Sequence, residues 1–263
     1  MNKSTNRYHA LIEKIFFDRY NEGVSEILWE RSDLETAATD LDIQLPKNLG
    51  DVVYSIRYRT PMPSRILATQ ADGKEWVIRG KGRAKYAFKL VNVNRIVPRD
   101  DMVAIKIPDA TPEIIGQYAL SDEQALLAKV RYNRLIDVFL GLVAYSLQNH
   151  LRTTVADIGQ IEIDEIYVGV DSNGRQFIIP VQAKGGNDQL SVIQTEQDIQ
   201  CCVEKYPTLI SRAISAQFIE DDLIALFELA FDNDEIKVVQ EKHYRLAQSD
   251  QISESELARY NAT

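Results

Sequence analysis

Cysteine and histidine are scarce in this 263-residue chain, which has only Cys201 and Cys202 and the three histidines His9, His150 and His243. Adjacent cysteines build no Cys-x-x-Cys pair and no zinc framework, so buried helix positions in a reducing compartment are their simplest role. The histidines are scattered, which excludes a His-rich metal site and leaves no Ser-His-Asp or Cys-His arrangement. No run approaches the roughly 18 apolar residues of a membrane span. The opening Met-Asn-Lys-Ser-Thr-Asn-Arg lacks the apolar core of a secretory signal, so a cytoplasmic protein with no membrane partner is expected. Glycine-rich nucleotide loops and internal repeats are also missing. What the chain does have is length for two ordinary domains or one large one and, at 45% hydrophobic residues, enough apolar side chains to bury real cores.

Charge is abundant and segregated. From Val52 to Arg99 eleven basic residues face only Asp72 and Glu75, a balance of +9 that leaves −18 for the rest of a chain whose net charge is −9. Segregation on this scale predicts a phosphate-binding module attached to an acidic body. The competing reading of a charge run is a solvated face without a partner.

The stretch from Gln160 to Val170, the turn Ser172-Asn173-Gly174 and the stretch from Phe177 to Lys184 read as a β-hairpin with a three-residue loop, whose third residue must take positive φ. If Asp171 faces Arg175, Asp164 lies opposite Gln182 and Glu162 opposite Lys184. Strand alternation puts these four side chains on one face and sends Glu165 to the other. Facing Cβ atoms are about 5 Å apart. That spacing lets Asp164 and Gln182 hold one hard cation while Lys184 reaches a scissile phosphate or the attacking water. A slip of one residue destroys the arrangement. An ordinary amphipathic hairpin with a solvated acidic face is the alternative.

The pattern Asp164, then Gln182-Ala183-Lys184, resembles the PD-(D/E)xK nuclease superfamily, which includes most type II restriction endonucleases. In that family an acid on one strand is followed by acid-x-Lys on the next. Gln182 departs from the pattern, although branches such as the virus-type replication-repair nucleases carry Gln-x-Lys. The departure removes a negative charge, which Glu162 on the same face is available to restore, directly or through a water. The resemblance implies a Mg²⁺ site made by Asp164, Gln182, the Ala183 carbonyl and Glu162, with Asp164, Gln182, Lys184 and Glu162 as the catalytic set. It also implies a core of mixed sheet flanked by helices. Strands over 209–219, 223–231 and 236–246 and a helix from Asp188 to about Tyr206 fit that order. Gln194 and Gln197 on this helix resemble motif glutamines of some branches, a surface amide being the equal alternative.

Toward the amino terminus, helices are expected from Tyr8 to about Tyr20, from the capping box Ser32-Asp-Leu-Glu35, and from Pro46 to Arg59. Strands at 65–68, 76–79 and 86–91 follow, with Trp76 and Tyr86 in their core. This order, over roughly residues 8 to 92, resembles a winged helix-turn-helix. The resemblance implies base-edge roles for Asn48 and Asp51, and phosphate roles for Arg57, Arg59, Lys81, Arg83 and Lys85.

Pro98, Pro108 and Pro112 and the switch to acidic character suggest a junction, so residues 1–100 are read as a recognition domain and 101–263 as a nuclease domain. A capping box at Ser121-Asp-Glu-Gln124 and one long helix from Ala125 to about His150 are expected next, with Asp137 on its apolar face as a capped or water-bonded acid outside the catalytic set. The tail from Gln248 to Thr263 has no core pattern. The whole predicts an α/β (α+β) chain, a winged helix followed by a restriction-endonuclease-like domain. The expected function is a Mg²⁺-dependent, sequence-specific DNA endonuclease acting on double-stranded DNA as a homodimer. A structure-specific repair nuclease or resolvase, and a winged-helix regulator that binds without cutting, are the alternatives.

Overall fold

The computed structural model describes residues 3–92, 96–118, 123–185, 192–232 and 235–262. Backbone contacts divide the chain into two units, residues 1–93 with 154–160 and residues 94–153 with 161–263. Helix and strand are mixed in both, so the chain belongs to the mixed α+β class.

In the first unit, α1 (Lys3–Phe17), β1 (Glu26–Glu30), α2 (Ser32–Asp40), α3 (Gly50–Tyr58) and α4 (Ser64–Leu67) precede β2 (Lys74–Gly80) and β3 (Lys85–Asn92). The strands form an antiparallel sheet in the order β1-β3-β2, with Trp29 opposite Tyr86 and Ile78 opposite Phe88. Helical spacing gathers Leu11, Ile12, Ile15 and Phe16 on one side of α1, where they are buried with Leu34, Val52, Trp76 and Phe88. Phe16 meets Trp76 and Phe88 edge to face at 5.0 and 5.2 Å. Two expectations fail here. Residues 65–67 of the expected strand 65–68 are helical in α4 and Ala68 caps that helix, because Pro63 carries an extended backbone at the entry and its carbonyl accepts the N–H of Leu67. The third helix starts at Gly50, not Pro46, where Asn48 Oδ1 accepts the Gly50 N–H at 3.1 Å. Strand β1, with Ile27 and Trp29 buried between exposed neighbours, was not expected at all.

The second unit contains β4 (Ala104–Pro108), α5 (Glu113–Tyr118), α6 (Glu123–Tyr132), α7 (Leu135–Leu140), β5 (Val143–Val155), β6 (Gly159–Val170) and β7 (Gln176–Lys184). It continues through α8 (Val192–Lys205), β8 (Ile210–Ser211), β9 (Ala213–Glu220), β10 (Leu223–Asp232), β11 (Glu235–Ala247) and α9 (Glu254–Asn261). The turn joining β5 to β6, within residues 154–160, belongs to the first unit. A mixed sheet runs β4-β11-β10-β9-β7-β6-β5, with β8 beside β7. Leu126, Leu127 and Val130 of α6 and Ile136 and Phe139 of α7 pack with Ile179, Val181 and Leu226 on one face. Ala225 and Phe227, one residue to either side of Leu226, pack with Ile199 of α8 on the other.

The long helix expected from Ala125 to about His150 is broken twice. Arg134 at φ 49° and Gly141 at φ 66° adopt left-handed conformations that stop α6 and α7, and from Val143 the chain is strand. The supposed junction around residues 99–120 contributes β4 to the sheet, parallel to β11. The tail expected to lack a core pattern forms α9, where Tyr260 Oη accepts the Lys106 N–H at 3.1 Å and Glu256 pairs with Lys106 Nζ at 3.0 Å. The capping box at Ser121 and the helix start at Asp188 lie outside the described residues. Among the described residues no helix is long and apolar enough to cross a membrane.

Candidate active site

Asp171 sets the strand register. Its N–H donates to the Arg175 carbonyl at 3.1 Å, its Oδ1 accepts the N–H groups of Asn173 and Arg175 at 2.9 and 3.0 Å, and Gly174 takes φ +75°. Pairing of β6 with β7 therefore runs from Val170 opposite Gln176 to Glu165 opposite Val181, the register expected of this loop. Farther along, a side chain takes over from the ladder, as Asp164 Oδ2 accepts the Ala183 N–H at 3.0 Å. Along its other edge β7 pairs with β9, Gln182 opposite Ser215 and Lys184 opposite Gln217.

Two acids from helices complete the cluster. Lys184 Nζ donates to Glu123 Oε1, in the first turn of α6, at 3.0 Å. Gln182, 2% exposed, donates its Nε2 to Asp198 Oδ2 at 2.6 Å, and Asp198 on α8 is 1% exposed. Burial holds the Asp164 carboxyl above the usual carboxylate range, against the opposing pull of the Ala183 N–H and the Lys184 charge. Burial likewise pushes Asp198 well above that range, the Gln182 amide opposing and the Asp164 charge adding to the rise. The Lys184 ammonium is bonded to Glu123, and its charge opposes the rise at both Asp164 and Asp198.

The other candidates have different surroundings. Glu162 pairs with Arg152 at 3.1 Å and with His150 at 3.3 Å. Glu165 is buried on the opposite face, bonded to Arg131 at 2.9 Å and Ser146 at 2.5 Å, as strand alternation required. Asp137 pairs with Arg134 and accepts the Ala144 N–H at 3.0 Å, which joins α7 to the start of β5. Gln194 and Gln197 lie on α8, with Gln197 buried. Cys201 and Cys202, also on α8, are buried, and burial pushes their thiols up to about 11 and about 12. Both thiols are thereby held toward the protonated form, which is the less nucleophilic one.

Glu123 and Asp198 were not singled out from the sequence. Glu123 was read as part of a capping box and nothing more. Asp198 carried a usable signal, since it stands four residues before Cys202 on the buried side of an amphipathic helix, where an unpaired acid is costly.

The nucleic-acid candidates all fall in the first unit. Asn48 is exposed at the head of α3, and Asp51 accepts the Tyr8 hydroxyl at 2.9 Å. Arg57 is half-buried, and the Arg59 guanidinium lies 4.8 Å from the centre of the Tyr54 ring. Lys81 pairs with Glu26 at 2.8 Å, while Arg83 is exposed on the β2–β3 turn and Lys85 at the start of β3.

Buried oxygens test whether a hard cation suits the site. Gln182 Oε1 and Asp198 Oδ1 are buried with no hydrogen-bond partner among the described residues. Oxygens left this way are costly unless something binds them. Among the described residues no three His, Cys, Asp or Glu side chains form a ready-made metal cage. Mg²⁺ does not need one, because it usually takes one or two carboxylates and completes its shell with water and phosphate oxygens. The donor set fits that ion.

Comparison with family models, curated proteins and solved structures finds no match to this chain. The functional reading therefore rests on the site geometry and the charge distribution.

Proposed function

We propose that this chain is a Mg²⁺-dependent DNA endonuclease of the PD-(D/E)xK kind, most simply a type II restriction enzyme, with its first unit acting as a winged-helix DNA-recognition module. The observation that carries the reading is the placing of Asp164, Gln182 and Lys184 at the end of a hairpin whose register is fixed by its turn, with a Gln182 oxygen that is buried and unpartnered among the described residues. An amphipathic hairpin with a solvated acidic face would not bury Gln182 and Asp198 to 2% and 1% exposure.

Asp164, Gln182 Oε1 and the Ala183 carbonyl would hold the ion. Asp198 would supply the carboxylate that position 182 lacks, the charge of a bound ion drawing off the proton that burial favours, whereas Glu162 is engaged by Arg152 and His150. When bound, Mg²⁺ supplies positive charge against the negative charge that develops on the phosphate during attack. Asp164 is held in place by the Ala183 N–H. Among the described residues Lys184 gives one of its three N–H donors to Glu123, and the other two would orient the attacking water and bind a phosphate oxygen. Glu123 acts on Lys184 by fixing its ammonium. As water bonds to phosphorus it gives up a proton to bulk solvent, the P–O bond to the leaving sugar oxygen breaks, and that oxygen takes up a proton from solvent. Cutting both strands of a palindrome calls for a two-fold homodimer.

Incubating the purified protein with a supercoiled plasmid of known sequence and Mg²⁺ tests the reading. Discrete fragments are expected. Cutting confined to branched or nicked substrates would instead indicate a repair nuclease or resolvase, and specific retention without cutting a regulator.

A further inference from the structure

The first unit carries a cavity of about 640 Å³ lined by the head of α3, the β2–β3 turn and the turn between β5 and β6. Pockets that take small ligands span roughly 300–1,000 Å³. Its walls are fixed by backbone contacts. The Gly82 N–H donates to the Asp157 carbonyl at 2.7 Å, and a Cβ at Gly80 would stand 2.3 Å from the Ile158 carbonyl oxygen, so only glycine permits the approach. Ala84 and Asp157, at φ 61° and 60°, are non-glycine residues in the left-handed region, and both line the cavity. Such backbone persists only where its surroundings over-determine it, and it concentrates at ligand sites.

The lining has a definite chemistry. Tyr54 and Tyr86 supply aromatic surface, and Tyr86 is held by Arg31, whose Nη2 donates to its hydroxyl at 3.2 Å. Asn48 and Asp51 supply short polar groups, and Arg57 and Arg83 supply positive charge. An aromatic surface, a few hydrogen-bonding groups and arginines are what a nucleobase with its attached phosphate requires. A helix that only rests in a groove presents a convex face, whereas Asn48, Asp51 and Tyr54 of this segment line a hollow.

We propose that this cavity receives a single nucleotide turned out of the bound DNA duplex, its base beside Tyr54 and Tyr86 and its phosphate on Arg57 and Arg83. The inference rests on the reading of the first unit as DNA-binding, and it moves recognition from a groove-edge contact to a base taken out of the stack.

The test is binding by the full chain in EDTA, where no cleavage occurs. Two fluorescently labelled duplexes of the same sequence are compared, one fully paired and one carrying a single C·T mismatch. A mismatched base costs less to unpair, so the mismatched duplex should bind about tenfold tighter or more. Tyr54→Ala and, separately, Asn48→Ala should each cut that preference to about twofold or less. Tyr54 is 44% exposed and Asn48 is exposed but bonds the Gly50 N–H at the head of α3, so the thermal midpoint of each variant is measured to show that it remains folded at the assay temperature. Equal affinity of the wild-type chain for both duplexes would overturn the inference, as would a preference that survives in both variants. If neither duplex binds, this inference falls together with the DNA-binding reading. A chain that binds both equally and still cuts plasmid loses this inference alone.

Discussion

Gln182 is where the site departs most from a simple two-carboxylate centre. An amide oxygen can ligate Mg²⁺ but brings no formal charge, and hard cations favour charged oxygen donors. Asp198, 2.6 Å from the Gln182 amide and buried, sits where that charge is needed, while Glu162 is drawn to Arg152 and His150. Groups that support metal ligands typically contribute 10–100-fold in metal affinity. Asp198→Asn should therefore raise the Mg²⁺ concentration for half-maximal cleavage by about tenfold or more, and weaken Mn²⁺ binding measured by calorimetry to a similar degree. Glu162→Gln should move either quantity by less than about threefold. Adding Gln182→Glu to Asp198→Asn should restore part of the loss, because the two positions share one charge requirement. The opposite ranking of Asp198→Asn and Glu162→Gln would return the second carboxylate to Glu162.

The β6–β7 hairpin was legible because everything that specifies it is local. Asp171, Asn173 and Gly174 fix the turn, β-branched and aromatic residues fix the strands, and the register follows from loop length. Residues 125–150 were misread because apolar residues close together fit a helix as well as they fit two short helices and a strand. Gly141 was the cue that should have ended the helix. Asp198 and Glu123 were not legible as partners of Gln182 and Lys184 because those contacts join residues 16 and 61 positions apart through tertiary packing, which no local pattern encodes. The turn also gives a clean stability test. A Cβ at Gly174 would meet nothing within 4 Å, so the cost of a side chain there is the backbone cost of φ +75°. Gly174→Val should destabilise by about 1–2 kcal/mol, the penalty of a left-handed conformation, in urea unfolding followed by circular dichroism. Gly174→Asn should cost clearly less. A neutral Gly174→Val would mean that the turn relaxes to another form, and the register argument would weaken with it.

At the scale of the whole chain, nine of the eleven basic residues between Val52 and Arg99 fall in the first unit, where they are concentrated on α3, α4, β2, β3 and the β2–β3 turn against only Asp72 and Glu75. Binding that neutralises phosphates should weaken with salt at a log–log slope of about −0.9 per phosphate contacted. Arg83→Ala should flatten the slope by about one unit. Lys81→Ala should flatten it less, since Lys81 is already paired with Glu26 at 2.8 Å. A slope unchanged in Arg83→Ala would remove the β2–β3 turn from the DNA interface. The central claim, that the end of the β6–β7 hairpin cuts phosphodiesters, is tested most directly at Lys184 under single-turnover conditions with saturating Mg²⁺. Lys184→Ala should bind DNA nearly as tightly as the wild-type protein and cleave it about a hundredfold more slowly or worse, the usual contribution of a positioned acid–base or electrostatic group. Cleavage by Lys184→Ala at the wild-type rate would contradict the account.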